Sequence, residues 1–247
     1  MAPRESHLEV AERVAGMSGV TGVVLGGSRA SSRARPDSDW DLGVYYRGSL
    51  DLSALRELGT VHPPGSWGRI MNGGAWLSID GVKVDVLLRD LDFIESVTAR
   101  AEQHGTFDID QLLGYVAGAP TYMLMGECAL ALPLVGNAPP QPEYPRKLSE
   151  LAPVRWRICA RFSLDYAYQH ARRGDALGTL AQGATAALDE AHARMCERRQ
   201  WVMNEKGLIE RAGLQDVQAR LTGLPRTAAG LTRWVGELSD VLGLATA

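Results

Sequence analysis

The stretch LGGSRASSRARPDSDWDLGVYY, Leu25 to Tyr46, decides how the rest of the chain is read. The residues leading into it, Val20 to Leu25, form an apolar run rich in Val that predicts a strand. Gly26 and Gly27 then permit a tight turn, and Ser28 adds a hydroxyl to it. Ten residues separate Ser28 from Asp39, and a second strand is expected to carry DWDLGVYY, residues 39–46. Side chains two apart on a strand share a face, so Asp39 and Asp41 are expected side by side. Two carboxylates held close in a low-dielectric setting repel each other. A divalent cation relieves that repulsion, and Mg²⁺ with oxygen ligands and a triphosphate is the natural candidate. Turn amides at Gly27 and Ser28 suit phosphate oxygens.

Upstream of this stretch, SHLEVAERVAGM (residues 6–17) predicts a short amphipathic helix. Downstream, AWLSIDGVKVDVLL (residues 75–88) sets two β-prone runs on either side of Asp80-Gly81, a strong hairpin signal. That hairpin brings Asp85 into an otherwise apolar strand, where it supplies a third ligand if the strand lies beside the Asp39/Asp41 pair. Residues 91–118 read as helix, and 121–136 leave helix and strand both open. Pro139, Pro140, Pro142 and Pro145 then oppose regular structure, which places a linker near residues 136–148. Beyond it, residues 148–172, 175–201 and 205–222, with a last segment near 228–243, recur at helical spacing, broken at Gly174-Asp175 and at Gly223 with Pro225. The fold class expected is α/β: a mixed-sheet core over residues 1–140, followed by a C-terminal helical bundle over 148–247 packed against it.

Composition narrows the function classes. With 26 basic against 29 acidic side chains the net charge is −3, which argues against a broad phosphate-binding footprint and moves small substrates up. The total hides an uneven division: residues 1–147 hold 13 basic and 18 acidic groups, whereas 148–247 hold 13 and 11, so the second part is the more basic. No apolar run approaches the roughly 18 residues of a membrane span, so no membrane partner is expected. Cys128, Cys159 and Cys196 form no CxxC pair, and no secretory leader pattern precedes the first helix. The reducing cytoplasm and chemically idle thiols are therefore expected. His62, His104, His170 and His192 show no metal-binding spacing. The oligomeric state leaves no mark in the sequence.

Leu25-Gly26-Gly27-Ser28, Asp39-Trp40-Asp41 and Val84-Asp85-Val86 together resemble the nucleotidyltransferase superfamily typified by DNA polymerase β. The likeness is to its small adenylyltransferase branch, which includes aminoglycoside and lincosamide nucleotidyltransferases, and it covers residues 20–90. The resemblance implies Mg²⁺-dependent transfer of AMP from ATP to a hydroxyl of a small molecule, antibiotics among the candidates, with pyrophosphate leaving. It implies that Gly27 and Ser28 position the β- and γ-phosphates and that Asp39 and Asp41 bind two Mg²⁺ ions. Asp85 would complete the metal site and assist deprotonation of the hydroxyl.

Around this set, Arg29 is a candidate to neutralise the triphosphate, while Arg33 and Arg35 read as an exposed connection. Lys206 resembles a basic residue that related enzymes bring to ATP from their helical domain. A surface salt bridge with Glu205 or Glu210 is its competing reading. Glu127 reads either as a group facing the acceptor or as a helix-capping or exposed residue, and Tyr45, Tyr46, Trp67 and Trp76 either as pocket lining or as core. A tRNA or protein nucleotidyltransferase and a catalytically inactive nucleotide-binding regulatory module are the alternatives. A Walker-type phosphotransferase is disfavoured because GxxxxGK[ST] is absent.

Overall fold

The computed structural model describes residues 7–30, 35, 38–79, 81–221 and 223–244. In chain order the elements are α1 (His7–Ala15), β1 (Val20–Leu25), β2 (Trp40–Tyr46), α2 (Ser53–Arg56), β3 (Val61–His62), α3 (Gly68–Met71), β4 (Gly73–Ile79) and β5 (Val82–Asp90). There follow α4 (Leu91–His104), β6 (Ile109–Asp110), β7 (Ala119–Pro120), α5 (Met123–Leu130), β8 (Leu132–Gly136), α6 (Arg146–Arg172), α7 (Ala176–Glu197), α8 (Leu208–Arg211), α9 (Gln215–Leu221) and α10 (Ala228–Leu242). The architecture is a mixed α/β sheet core followed by a C-terminal helical bundle. Two compact units are distinguishable, one of Met1–Ala99 with Leu124–Glu143, the other of Arg100–Met123 with Tyr144–Ala247.

The first unit is built on a six-stranded sheet in the order β3-β4-β5-β2-β1-β8. All its neighbouring strands are antiparallel except β2 and β5, which run parallel because the chain between them detours through α2, β3, α3 and β4. Alternation along the strands sorts side chains by face. Leu42, Val44 and Tyr46 of β2, Val84, Val86 and Leu88 of β5, and Ala75 and Leu77 of β4 are buried together with Val10, Ala11 and Val14 of α1. Each large aliphatic residue so buried stabilises the unit by about 1.5–3 kcal/mol. The other face carries Asp41, Asp85 and Trp76. The expected Asp80-Gly81 hairpin forms: Ile79 pairs with Val82, and Gly81 adopts φ 82°, while Asp80 itself lies outside the described residues.

The helix expected over residues 91–118 ends at His104. Gly105 turns the chain with φ 63°, and a Cβ there would come within 2.6 Å of the Lys147 carbonyl. Residues 105–122 instead hold the short antiparallel ladder of β6 and β7. The stretch left open over 121–136 divides into α5 and the strand β8, which pairs with β1 at the sheet edge.

In the second unit α6 and α7 fold back on each other through Gly174, φ 75°. Their facing residues are small: Ala160, Ala167 and Ala171 pack with Ala186, Ala187 and Ala191, alongside Leu164 and Met195. Asp175 caps α7 by accepting from the Gly178 amide at 3.0 Å, and Thr227 caps α10 through the Gly230 amide at 3.2 Å. Polar groups inside this unit are mostly matched. Glu190 is paired with both Arg157 and Arg194, and Trp156 donates its Nε1 proton to the Tyr122 hydroxyl at 3.0 Å. His192 stacks on Trp156 with ring centroids 4.3 Å apart, and burial pushes its pKa down to about 3, so the imidazole is neutral. Among the described residues no helix is long and apolar enough to cross a membrane.

Candidate active site on the open face of the sheet

The site begins with strand register. In the parallel pair β2 and β5, Asp41 lies opposite Asp85, and in the antiparallel pair β4 and β5, Asp85 lies opposite Trp76. Residues directly opposite one another share a face, so the three side chains form a row across three strands spaced about 4.8 Å apart. Asp39 is half-buried and immediately precedes β2.

The glycine turn is tied to this row. The Gly26 amide donates to the Asp41 carbonyl at 2.8 Å, extending the pairing of β1 with β2 into the turn. Gly27 follows with φ 62°, and a Cβ placed on it would sit 1.8 Å from Oδ2 of Asp41. Glycine is thus required twice, by backbone conformation and by close approach to the carboxylate. Ser28 is half-buried beside it.

The electrostatics follow from this crowding. Burial, and then the charges of Asp85, Asp39 and Glu127, push the Asp41 carboxyl up to about 6, with Arg29 opposing them. Burial and Asp39 raise Asp85, opposed by Lys83. Hard oxygen donors that destabilise one another's charge, beside a turn that brings amides to them, are suited to a hard cation. Among the described residues, no group of three or more His, Cys, Asp or Glu side chains is placed to hold a metal ion. Mg²⁺ commonly takes only one or two carboxylates and completes its shell with phosphate oxygens and water, and the facing pair Asp41 and Asp85 would be the donors for it.

Arg29 reaches across the turn rather than away from it. Its Nε and Nη2 donate to the Ser38 carbonyl at 2.9 and 2.5 Å, and its guanidinium lies 4.3 Å from the centroid of the Trp40 ring. Trp40 is stacked in turn with His7. Arg29 therefore braces the approach to Asp39 and Asp41 and brings positive charge to them. Arg35 is exposed, its amide bonded to Ser38 Oγ at 2.9 Å, and Arg33 lies outside the described residues.

Further along the same face, the strand alternation that exposes Asp85 leads to Arg89. Arg89 is almost fully buried and forms a two-pronged ion pair with Glu127 of α5, at 2.5 and 2.8 Å, while Nη1 donates to the Met71 carbonyl at 2.9 Å. This corrects the reading of Glu127 as a capping or exposed residue: it is the counter-ion of a buried arginine. Arg89 was missed by sequence reasoning, although its position four residues beyond Asp85 in an apolar strand was the available signal. Tyr45 and Tyr46 are core. Tyr45 is buried with its hydroxyl 3.8 Å from Cys128 Sγ, and Tyr46 accepts from Asn72 Nδ2 at 2.8 Å. Trp76, by contrast, is 62% exposed.

Lys206 belongs to the second unit and is exposed on a turn, its amide bonded to Asn204 Oδ1 at 3.0 Å. The salt bridge weighed for it is not formed among the described residues. The Glu205 carboxylate instead accepts the Val116 and Ala117 amides at 2.7 and 2.8 Å.

Residues 8–106 match the family model described as a nucleotidyltransferase domain, a span that takes in Gly27, Ser28, Asp39, Asp41 and Asp85. No curated protein matches the chain by sequence. Among solved structures, the chain is similar to a nucleotidyltransferase-like protein from Exiguobacterium sibiricum 255-15, at 11% identity and a TM-score of 0.43, over 95% of this chain and 72% of that one. At that distance the likeness carries no weight for the site.

Proposed function

We propose that this chain is a Mg²⁺-dependent nucleotidyltransferase that moves AMP from ATP to a hydroxyl of a small molecule and releases pyrophosphate. The observation that carries the reading is the cross-strand placement of Asp41 opposite Asp85, with Gly27 pressed against the Asp41 carboxylate. The match of residues 8–106 to a nucleotidyltransferase domain supports it.

In this reading Asp39, Asp41 and Asp85 would hold Mg²⁺, which would supply positive charge to offset that of the triphosphate and of the oxygens on the transferred phosphoryl group. Gly27 and Ser28 orient the outer phosphates through turn amides and the hydroxyl. Arg29 keeps the approach to Asp39 in place and offsets part of the negative charge gathered there. Asp85 accepts the proton of the acceptor hydroxyl. The hydroxyl oxygen forms a bond to the α-phosphorus as the bond from that phosphorus to the pyrophosphate oxygen breaks. Lys206 enters only through the resemblance of its sequence context, as a cation for the triphosphate.

The test is to incubate the purified chain with Mg²⁺, each nucleoside triphosphate in turn, and panels of aminoglycosides, lincosamides and tRNA, and to read product mass. A nucleotide-dependent adduct of a small molecule with pyrophosphate release is expected. An adduct on tRNA alone would replace the small-molecule acceptor, and no product together with no Mg²⁺ binding would sink the reading.

A further inference from the structure

Helix α6 is apolar on two sides. One side is accounted for: Ala160, Leu164, Ala167 and Ala171 are buried in the core of the second unit. The other side carries Leu151, Val154, Ile158, Phe162 and Tyr166, at intervals of three or four residues, and each of them is between 48 and 63% exposed. At 3.6 residues per turn these five fall within about a third of the helix circumference, opposite the buried side, along roughly 22 Å of its length. Apolar residues scattered singly over a surface are ordinary, but a continuous stripe of them is not, and a helix that faces only water carries polar residues there.

The area and the shape of the stripe say what covers it. Two aromatic and three aliphatic side chains, each about half exposed, present on the order of 450 Å² of apolar surface. A stable interface takes about 800 Å² from each partner, of which somewhat more than half is apolar. The stripe, bordered by the exposed polar side chains of Arg161, Asp165 and Gln169, therefore has the extent and the balance of one side of such an interface. Side-chain volume is divided unevenly along it, with the three aliphatic residues in the N-terminal part and the two aromatic ones in the C-terminal part. A second copy laid antiparallel sets Phe162 and Tyr166 of one chain against Val154 and Leu151 of the other, so that large meets small along the whole stripe. A parallel copy would set large on large at one end and leave small facing small at the other.

We propose that this outer face of α6 is a self-association surface, and that two copies of the chain pair through it, antiparallel, about a twofold axis near Ile158. The same stripe serves both copies, so the pairing is isologous and closes at a dimer. The inference is independent of the transferase reading, since no residue of the carboxylate row takes part in it.

Sedimentation of the full chain at tens of micromolar is expected to give twice the 26.7 kDa mass of one copy. Phe162→Glu is expected to weaken association by about 100-fold or more with an unchanged circular-dichroism spectrum, and Tyr166→Lys, a second exposed position, to act the same way if the first variant fails to fold. Leu113→Glu, at a 98% exposed apolar residue away from α6, is expected to stay dimeric. Orientation is read in a Cys159→Ala background, which leaves the buried thiols of Cys128 and Cys196. There Ile158→Cys, near the axis, is expected to form a disulfide-linked dimer in oxidised glutathione, and Leu151→Cys, at one end, is not. An unaltered chain that sediments as a single copy would overturn the pairing and leave a lipid surface or another protein as the cover. Folded Phe162→Glu and Tyr166→Lys variants that remain dimeric would place the interface elsewhere, and crosslinking of both cysteine variants would overturn the antiparallel arrangement.

Discussion

Gly27 shows how narrowly the site is specified at the scale of single residues. Its left-handed backbone costs any other L-residue about 1–2 kcal/mol, and its missing side chain leaves the space that the Asp41 carboxylate occupies. Gly27→Ala is therefore expected to lower transfer by about 100-fold or more through displacement of Asp41, with a fall in stability of only about 1–2 kcal/mol. Pyrophosphate release and a thermal melt, read together, check it, and turnover near the unaltered level would show that the turn does not position the carboxylate. Asp41→Asn removes a charge that burial and three neighbouring carboxylates already penalise. Its fold is expected to melt no lower than the unaltered chain, while Mg²⁺-supported turnover falls sharply. A lowered melting temperature with unchanged turnover would reverse that assignment. These positions were legible in the sequence because glycine, serine and aspartate at set spacings state their local chemistry. Trp76 was not, since nothing local separates a core tryptophan from an exposed one.

At the scale of elements, the pairing of β2 with β5 and the docking of α5 through Glu127 carry the site. Arg89 and Glu127 lie 38 positions apart, and no periodicity relates them, which is why the pair emerged only from the fold. Glu127→Ala would leave the buried Arg89 charge without its counter-ion and is expected to cost about 3–5 kcal/mol. The double substitution Arg89→Met with Glu127→Leu is expected to recover most of that loss, because it removes both desolvated charges. Urea unfolding of the two variants forms the check, and a double variant no more stable than Glu127→Ala would show that an unpaired buried charge is not the source of the loss. The helix read over 91–118 failed at an element boundary: the alternation of apolar and polar residues persisted past His104, but Gly105, Gly114 and Gly118, all at positive φ, broke the backbone.

At the scale of the whole molecule, stability should depend on pH through Asp189, which is buried in the second unit. Burial first, and the charge of Glu205 after it, push this carboxyl up to about 7, with the Ser163 hydroxyl opposing them. The folded state therefore holds a proton that the unfolded chain, near 3.8, has already released. The stability that this proton contributes is fully present below the unfolded value and is lost as pH rises to about 7, a fall on the order of 4 kcal/mol. Asp189→Asn should flatten the decline, as measured by urea unfolding between pH 4.5 and 7.5, and an equally steep decline in the variant would place its origin elsewhere. The partition into units is likewise a property of the whole. Residues 100–123 belong with the helices, tied there by Arg155 donating to the Phe107 carbonyl, by Trp156 donating to Tyr122, and by Glu205 accepting the 116 and 117 amides. A boundary read along the chain cannot express that. The sequence by itself determined the first strand, the glycine turn, the Asp80-Gly81 hairpin and the long helices, because turn chemistry and hydrophobic period act over a few residues. Only the tertiary structure decided that Asp41 faces Asp85, that Asp85 faces Trp76, and that Arg89 meets Glu127. Register and packing join residues far apart in the chain, and which partners meet depends on how the whole sheet buries its apolar face.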